Sequence, residues 1–382
     1  MSVYPDGIID ISELKKHSYE IGAIRPPSEG GSFSLLLRVT RNCPWSRCTF
    51  CYGRFYGRQK FELRSVEEVK ADIDAVKAIA DELKAISERL GFGGELGPIG
   101  AALQRSLLYR EDGSEIDEAA QINIASIVNV YNWLVAGAGT VFLQDADTLI
   151  MPTDQLIEVI RYLKEFFPSI VRITSYARSK SIKHKTLEEL ARLREGGLTR
   201  LHVGMESGDD ELLKQVDKGV TSAEQIEAGK KALAAGFQLS EYVMPGLGGK
   251  EISEQHAINT ARVLNEINPH FIRMRPFIPS SRTPLLDSYR KGEHELTSPH
   301  ERLREIRLLV ENLEVTSGVA FDHALNPSYR TPGGVVHLLK QDYDGYKFPE
   351  EKQKVLDIID KGLQIDESAY VDVRDMVGTE RL

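Results

Sequence analysis

Short runs of apolar, β-branched residues alternate along this chain with longer segments whose apolar positions recur every three or four residues. The runs fall at residues 34–40, 140–144, 171–175, 200–205, 238–244 and 270–275. Each is short for a helix and rich in Val, Ile, Leu or Phe, so six strands are predicted. After the first, Ser65 and Glu68 form a capping-box signature ahead of Val66, Val69, Ile73, Val76, Ile79 and Leu83, which keep a helical spacing. Residues 154–167, a segment opened by the box Thr186…Glu189, and residues 252–267 read as helices in the same way. Strand–helix alternation predicts βα units on a parallel sheet. Six units favour a partial (β/α)6 barrel over a complete eight-stranded barrel or a doubly wound sheet, although periodicity alone does not separate the three. In either barrel, chemistry gathers at the C-terminal ends of the strands.

The regular alternation is interrupted once. Residues 91–138 form an insertion that begins Gly91-Phe92-Gly93-Gly94 and carries a long helical pattern through Ile122, Ile127, Val130, Tyr131 and Leu134. It reads either as an extra packed layer or as a lid beside a site. The expected organisation is an N-terminal extension over 1–32, the barrel over 33–290, and a C-terminal helical extension over 291–382. That extension holds amphipathic segments at 297–313 and 349–363 around the run Phe321-Asp322-His323-Ala324-Leu325-Asn326.

Composition narrows the function classes. Hydrophobic content of 41% and charged content of 27% are those of an ordinary soluble protein. A formal net charge of −9 disfavours a general nucleic-acid binder. No 18-residue apolar run exists to span a membrane, and residues 1–6 lack the charged-then-apolar pattern of a secretion leader. Together with the unpaired thiols described next, this points to the reducing cytoplasm.

All three cysteines of the chain, Cys43, Cys48 and Cys51, lie within nine consecutive residues directly after the first predicted strand. An odd number cannot all form disulfides. A structural zinc site needs four ligands, and the nearest histidines are His17 and His184. A redox Cys-x-x-Cys pair would leave Cys43 unexplained. A cubane iron–sulfur cluster is normally held by four thiolates; held by three, it keeps one iron open to a small molecule. The cluster reading accounts for all three residues.

Three cysteines after a first strand, with the aromatic Phe50 before the last, resemble the radical S-adenosylmethionine (SAM) superfamily. The spacing departs from the family's usual pattern, with four residues instead of three between Cys43 and Cys48. The stretch Gly204-Met205-Glu206-Ser207-Gly208 followed by Val216-Asp217-Lys218-Gly219 resembles the coproporphyrinogen oxidase and Elongator catalytic-subunit branch. The resemblance implies the partial barrel and two cofactors, a [4Fe–4S] cluster on Cys43, Cys48 and Cys51 and SAM on its open iron. The reduced cluster would cleave SAM to methionine and a 5′-deoxyadenosyl radical that abstracts hydrogen from a small-molecule substrate. Glu206 and Lys218 match positions that contact SAM and its carboxylate.

The other strand ends supply further SAM-contact candidates. Gln144 and Asp145 stand where the family often has Gly-Gly-Glu, and Ser175 ends the third strand. Glu241 and Gly246 lie in the run Glu241-Tyr242-Val243-Met244-Pro245-Gly246, which resembles the adenine-packing segment. Arg273 and Arg275 alternate along the sixth strand and suggest an anionic substrate, because guanidinium pairs carboxylate or phosphate bidentately. An electron donor such as ferredoxin or flavodoxin is an implied partner. A haem or cluster carrier on the same scaffold is the competing reading, with His202, His270 or His323 as axial ligands; Asp322-His323 could also touch substrate.

Overall fold

The computed structural model describes residues 7–22, 33–51, 60–109, 115–281 and 283–379. Residues 1–6, most of the expected extension at 23–32, Tyr52 after the cysteine run and 110–114 of the insertion lie outside the described residues. The chain divides into two compact units. One comprises residues 1–41, 63–175 and 195–198; the other comprises 42–62, 176–194 and 199–382. The division passes inside the third strand, and so does not follow the boundaries at 32 and 290 that the sequence suggested.

In the first unit the strands β1 (Leu35–Arg38), β2 (Thr140–Gln144) and β3 (Arg172–Ala177) run parallel, β1 beside β2 and β2 beside β3. Leu36 pairs with Phe142 and Phe142 with Thr174. Helix α1 (Val66–Arg89) starts at the expected capping box: Ser65 accepts from the Glu68 N–H while Glu68 accepts from the Ser65 N–H. Its buried stripe, Val66, Val69, Ile73, Val76, Ile79 and Leu83, is the one the spacing indicated. The insertion contains α2 (Gly100–Leu108) and α3 (Glu118–Val135). Asn129 of α3 accepts from the Leu36 N–H at 2.9 Å and donates to the Ser34 carbonyl at 3.1 Å. A side-chain amide thus satisfies the edge of β1 where a neighbouring strand would otherwise pair. Of the two readings of the insertion, α3 follows the packed layer. Tyr19 and Asn123 tie the N-terminal segment to the same helix. Helix α4 (Thr153–Phe166) completes the unit beside α1, with Lys70 paired to Glu158 and the Tyr162 hydroxyl donating to Asp74.

The second unit carries α5 (Ser179–His184), α6 (Leu187–Gly196, shared at its end with the first unit), β4 (Arg200–Glu206), α7 (Asp210–Gln215), α8 (Ser222–Ala234), β5 (Gln238–Val243), α9 (Ser253–Ile267) and β6 (Phe271–Met274). It continues through α10 (Leu285–Arg290), α11 (Pro299–Asn312), β7 (Gly318–Ala320), the hairpin β8 (Ser328–Thr331) and β9 (Gly334–His337), β10 (Tyr346–Lys347) and α12 (Lys352–Gly362). Strands β4, β5, β6 and β7 are parallel, with β10 antiparallel to β7. The six expected strands are therefore β1 to β6, in the α/β class and partial-barrel order expected.

The C-terminal part corrects the expectation of a purely helical extension. It adds β7 and β10 to the sheet and forms the β8–β9 hairpin, alongside α11 and α12. These four strands of two to four residues are too short for periodicity to reveal. Among the described residues no helix is long and apolar enough to cross a membrane.

Ile79 is fully buried on the α1 stripe. Ile79→Ala is expected to lower unfolding free energy by about 2–5 kcal/mol, read from the denaturant midpoint.

Candidate functional site

The cysteine loop belongs to the second unit and is built around residues whose backbone or side chain must do something unusual. Asn42 and Ser46 have positive φ, 66° and 47°; the turn that accommodates four residues between Cys43 and Cys48 bends at Ser46. Trp45 anchors the loop: its indole N–H donates to the Asp217 carbonyl at 2.6 Å. A Cβ on Gly219 would stand 2.4 Å from that ring, and Gly219 itself has φ +72°. Only glycine meets both demands. Arg178 stacks on Trp45 at 5.2 Å and donates to the Lys218 carbonyl at 2.9 Å. Phe50 packs with Leu212, Val216, Leu247, Phe277 and Leu296, and the sulfurs of Cys48 and Cys51 lie against this apolar cluster.

The three thiols are free and close enough to influence one another. Burial pushes Cys51 up to about 12, with Cys48 and Cys43 adding to the effect. Cys48 is raised for the same first reason, while Lys218 and Arg178 pull the other way. Three partly buried thiols beside two cations are a donor set that gains by binding a soft, positively charged centre as thiolates. Among the described residues no three His, Cys, Asp or Glu side chains converge as they would around a single ion. A cubane attaches each thiolate to a different iron, so it needs proximity without that convergence.

Beside Cys48 lies a buried ion pair. Lys218 Nζ is 2.9 Å from Glu206 Oε1, with side-chain exposures of 11% and 12%. Burial works against the Lys218 charge, but Glu206 outweighs it and holds the ammonium above its usual range. The strand is deformed to make this pair: β4 is irregular between Gly204 and Glu206, and Glu206 has φ +64°. Left-handed backbone in a non-glycine residue costs about 1–2 kcal/mol. The Glu206 carboxylate occupies the place where a Gly204 Cβ would be, 2.2 Å away. Behind it, Ser207 Oγ is 2.8 Å from His256 Nδ1, Gly208 N–H donates to Thr260, and Asp209 caps α7 while accepting from Gln255 and Asn259.

Strand register sorts the remaining candidates. His202 pairs with Ser240, and Tyr242 with Arg273. Tyr242 OH lies 2.8 Å from His202 Nδ1 and Arg273 Nε donates to Ser240 Oγ at 3.1 Å, so these four share one polar face. Side chains alternate along a strand, which puts Glu241 on the opposite face with Leu239 and Val243, in register with Val203 and Ile272. Its Oε2 has no hydrogen-bond partner, and burial raises the carboxyl well above its usual range. Lys218 partly offsets that effect and Glu206 adds to it, so Glu241 lies within electrostatic reach of the ion pair. Gly246, by contrast, has φ +83° and donates its N–H to Glu305 at 2.7 Å.

The two arginines of β6 have a partner within the chain. Arg273 and Arg275 both pair with Asp322, at 2.9 Å and 3.1 Å. Arg273 is fully buried, flanked by Phe271 and Tyr343, and donates as well to the Tyr343 carbonyl. Guanidiniums committed to one carboxylate do not announce an anionic substrate. Asp322 therefore supports the arginines, not His323. Each candidate axial histidine has a ring nitrogen already engaged: His202 with Tyr242, His270 with the Leu239 N–H, His323 with the Leu325 N–H.

The strand-end candidates of the first unit have internal partners. Gln144 holds Gly22 through both its N–H and its carbonyl, at 2.8 Å and 3.2 Å. Asp145 accepts from Arg38 at 2.7 Å, within a network that includes Glu20 and Arg41. Ser175 is fully buried, in register with Leu143. Trp45, Arg178 and Gly204 were not singled out from sequence. Only Gly204, two residues before Glu206, carried a local signal.

Residues 114–261 match the family model described as the Radical SAM superfamily; the cysteine loop precedes the matched segment. None of the curated proteins matches the chain significantly. Among solved structures, the chain is similar to Elp3 of the archaeon Methanocaldococcus infernus with an N-terminal deletion, at 14% identity and TM-score 0.42, covering 58% of this chain and 54% of that one. It is similar to coproporphyrinogen III oxidase (HemN) from Escherichia coli at 14% identity and TM-score 0.46, covering 88% and 70%. It is also similar to the radical SAM methyltransferase TsrM from Kitasatospora setae at 12% identity and TM-score 0.41, covering 65% and 38%. The chain thus spans about half of the archaeal protein and less of the methyltransferase.

Two outcomes test this geometry. Gly204→Ala places a methyl group on the Glu206 carboxylate and should lower stability by about 1–3 kcal/mol; Gly97→Ala, with open space around its Cβ, should be near neutral in the same denaturant titration. His323 is held down to about 4 by burial first and Arg275 second, against Asp322. Its neutral form is favoured in the fold, so its contribution is present above the ordinary value near 6.5 and lost as pH falls from there through 4. Thermal melts across that window should flatten in His323→Asn.

Proposed function

We propose, from the match of residues 114–261 to the Radical SAM superfamily, that this chain is a SAM-cleaving enzyme whose cofactors are a [4Fe–4S] cluster and SAM, and that Cys43, Cys48 and Cys51 hold the cluster. When bound, that cluster supplies one electron to SAM, giving methionine and a 5′-deoxyadenosyl radical able to take hydrogen from an unactivated C–H bond.

The observation that carries the reading is the Glu206–Lys218 pair beside the thiol triplet. The methionyl end of SAM is a zwitterion. A buried carboxylate next to a buried ammonium is its electrostatic counterpart: Glu206 receives the ligand ammonium and Lys218 the ligand carboxylate. The exchange is favourable because neither protein charge is left alone in a low-dielectric site. Gly246 is a proposed neighbour of the adenine through the loop after β5; its positive φ shapes that loop, and the Cβ it lacks would meet Arg302. Arg178 and Trp45 hold the loop so that the thiols keep their spacing. Gln144, Asp145 and Ser175 are proposed as polar groups at the ends of β2 and β3, within the first unit. Glu241 and the arginine pair take no part in this assignment, and the substrate is a small molecule of unassigned charge. A ferredoxin- or flavodoxin-type donor would reduce the cluster.

Anaerobic reconstitution should give about four irons per chain and 5′-deoxyadenosine that depends on dithionite. Iron loading without deoxyadenosine under full reduction would sink the proposal. Glu206→Gln should retain the cluster absorbance while weakening SAM binding by about 1.5–3 kcal/mol, the range for a hydrogen bond to a charged group. Unchanged SAM affinity in the iron-loaded variant would remove Glu206 from the site.

A further inference from the structure

Arg302, on the first turn of α11, is 3% exposed. Its Nε donates to Thr297 Oγ1 at 3.3 Å, but Nη1 and Nη2 have no hydrogen-bond partner. The carboxylates around it are committed elsewhere. Glu305 accepts from the Gly246 N–H at 2.7 Å and from Ser253 Oγ at 2.5 Å, and Asp372 pairs with Arg374 at 2.5 Å. A buried guanidinium without a paired anion is rare, because the uncompensated charge is costly away from water.

The same arginine lines a cavity together with Asn326, Ser328 and Tyr370. Asn326 is 2% exposed. Its Nδ2 donates to the Met274 carbonyl at 3.2 Å, which fixes the orientation of the amide, and its Oδ1 has no donor facing it. The Tyr370 hydroxyl is already used on the Gly362 carbonyl. The cavity therefore combines orphaned cationic donors with one orphaned acceptor, all on buried side chains. It measures about 30 Å³ as the space open to the centre of a water-sized sphere. One water needs roughly 10–15 Å³ on that measure, so an ion of a few heavy atoms fits and a nucleotide does not.

The occupant has to offer acceptor oxygens and a negative charge to Arg302 and an O–H to Asn326. Chloride and a simple carboxylate lack the donor. Water lacks the charge. We propose that this cavity is a binding site for a small protonated oxyanion, hydrogencarbonate or hydrogenphosphate, held by Arg302 and Asn326. The site is not isolated from the rest of the unit: a Cβ on Gly246 would lie 2.8 Å from Arg302 Nη2. An anion that steadies the guanidinium also steadies the loop after β5.

The test is calorimetric titration of the full-length protein with potassium hydrogencarbonate and, separately, potassium phosphate, at constant ionic strength with chloride as the control. The expected result is saturable binding at one site per chain by one of the two, with the tighter ligand identifying the source, and mutual competition if both bind. Arg302→Gln and Asn326→Asp should each weaken it at least tenfold, the second by supplying an internal carboxylate. No saturable binding of either anion to the wild-type chain overturns the proposal, as does equal binding of chloride. Unchanged affinity in a folded Asn326→Asp protein overturns it too, so the outcome does not hang on whether Arg302→Gln folds.

Discussion

Two opposite charges buried against each other, Glu206 and Lys218, set the terms for everything around the cysteine loop. Each would be expensive alone in a place that water barely reaches, and as a pair they add little net stability. Nonetheless the backbone is bent to make the pair. Glu206 takes a left-handed conformation, β4 loses its regular register, and position 204 is left without a side chain so that the carboxylate has room. Strain and buried charge at one residue mark functional sites because the fold gains nothing else from them. The surrounding hydrogen bonds, from Ser207 and His256 through Thr260 to Asp209, hold the strained turn in one geometry.

The thiols depend on that pair electrostatically. Burial and their mutual repulsion keep the thiols of Cys48 and Cys51 protonated, while Lys218 and Arg178 work toward thiolate. The same lysine that neutralises Glu206 therefore also acts on the sulfurs, with its ammonium 5.4 Å above the Phe50 ring. Binding a soft metal centre and binding a zwitterion would relax complementary parts of one charge distribution.

The first unit solves a different problem, that of an exposed sheet edge and polar strand ends. Asn129 replaces a missing strand beside β1, and Asp145 at the end of β2 is neutralised by Arg38. The insertion that carries Asn129 is thus part of the packing of the parallel strands.

Local sequence determined what local physics controls. The short apolar runs, the helical spacing and the Ser65 capping box located β1 to β6, α1 and α11 within one or two residues, because hydrophobic spacing and side-chain caps act over a few positions. The cysteine run and the short stretch from Gly204 to Gly219 located the thiols and the Glu206–Lys218 pair, whose members are separated only by α7 and a turn. Tertiary structure alone decided which groups were already spoken for. Arg273 and Arg275 meet Asp322 nearly fifty residues later, and Trp45 donates to Asp217, 172 residues later, and packs on Gly219 beside it. The face that Glu241 takes is set by the pairing of β5 with β4 and β6, which no local pattern carries. The irregularity at Gly204 and Glu206 leaves no trace in the hydrophobic pattern. The short strands β7 to β10 were missed for the same reason, since two to four residues carry no period and only a partner strand makes them strands.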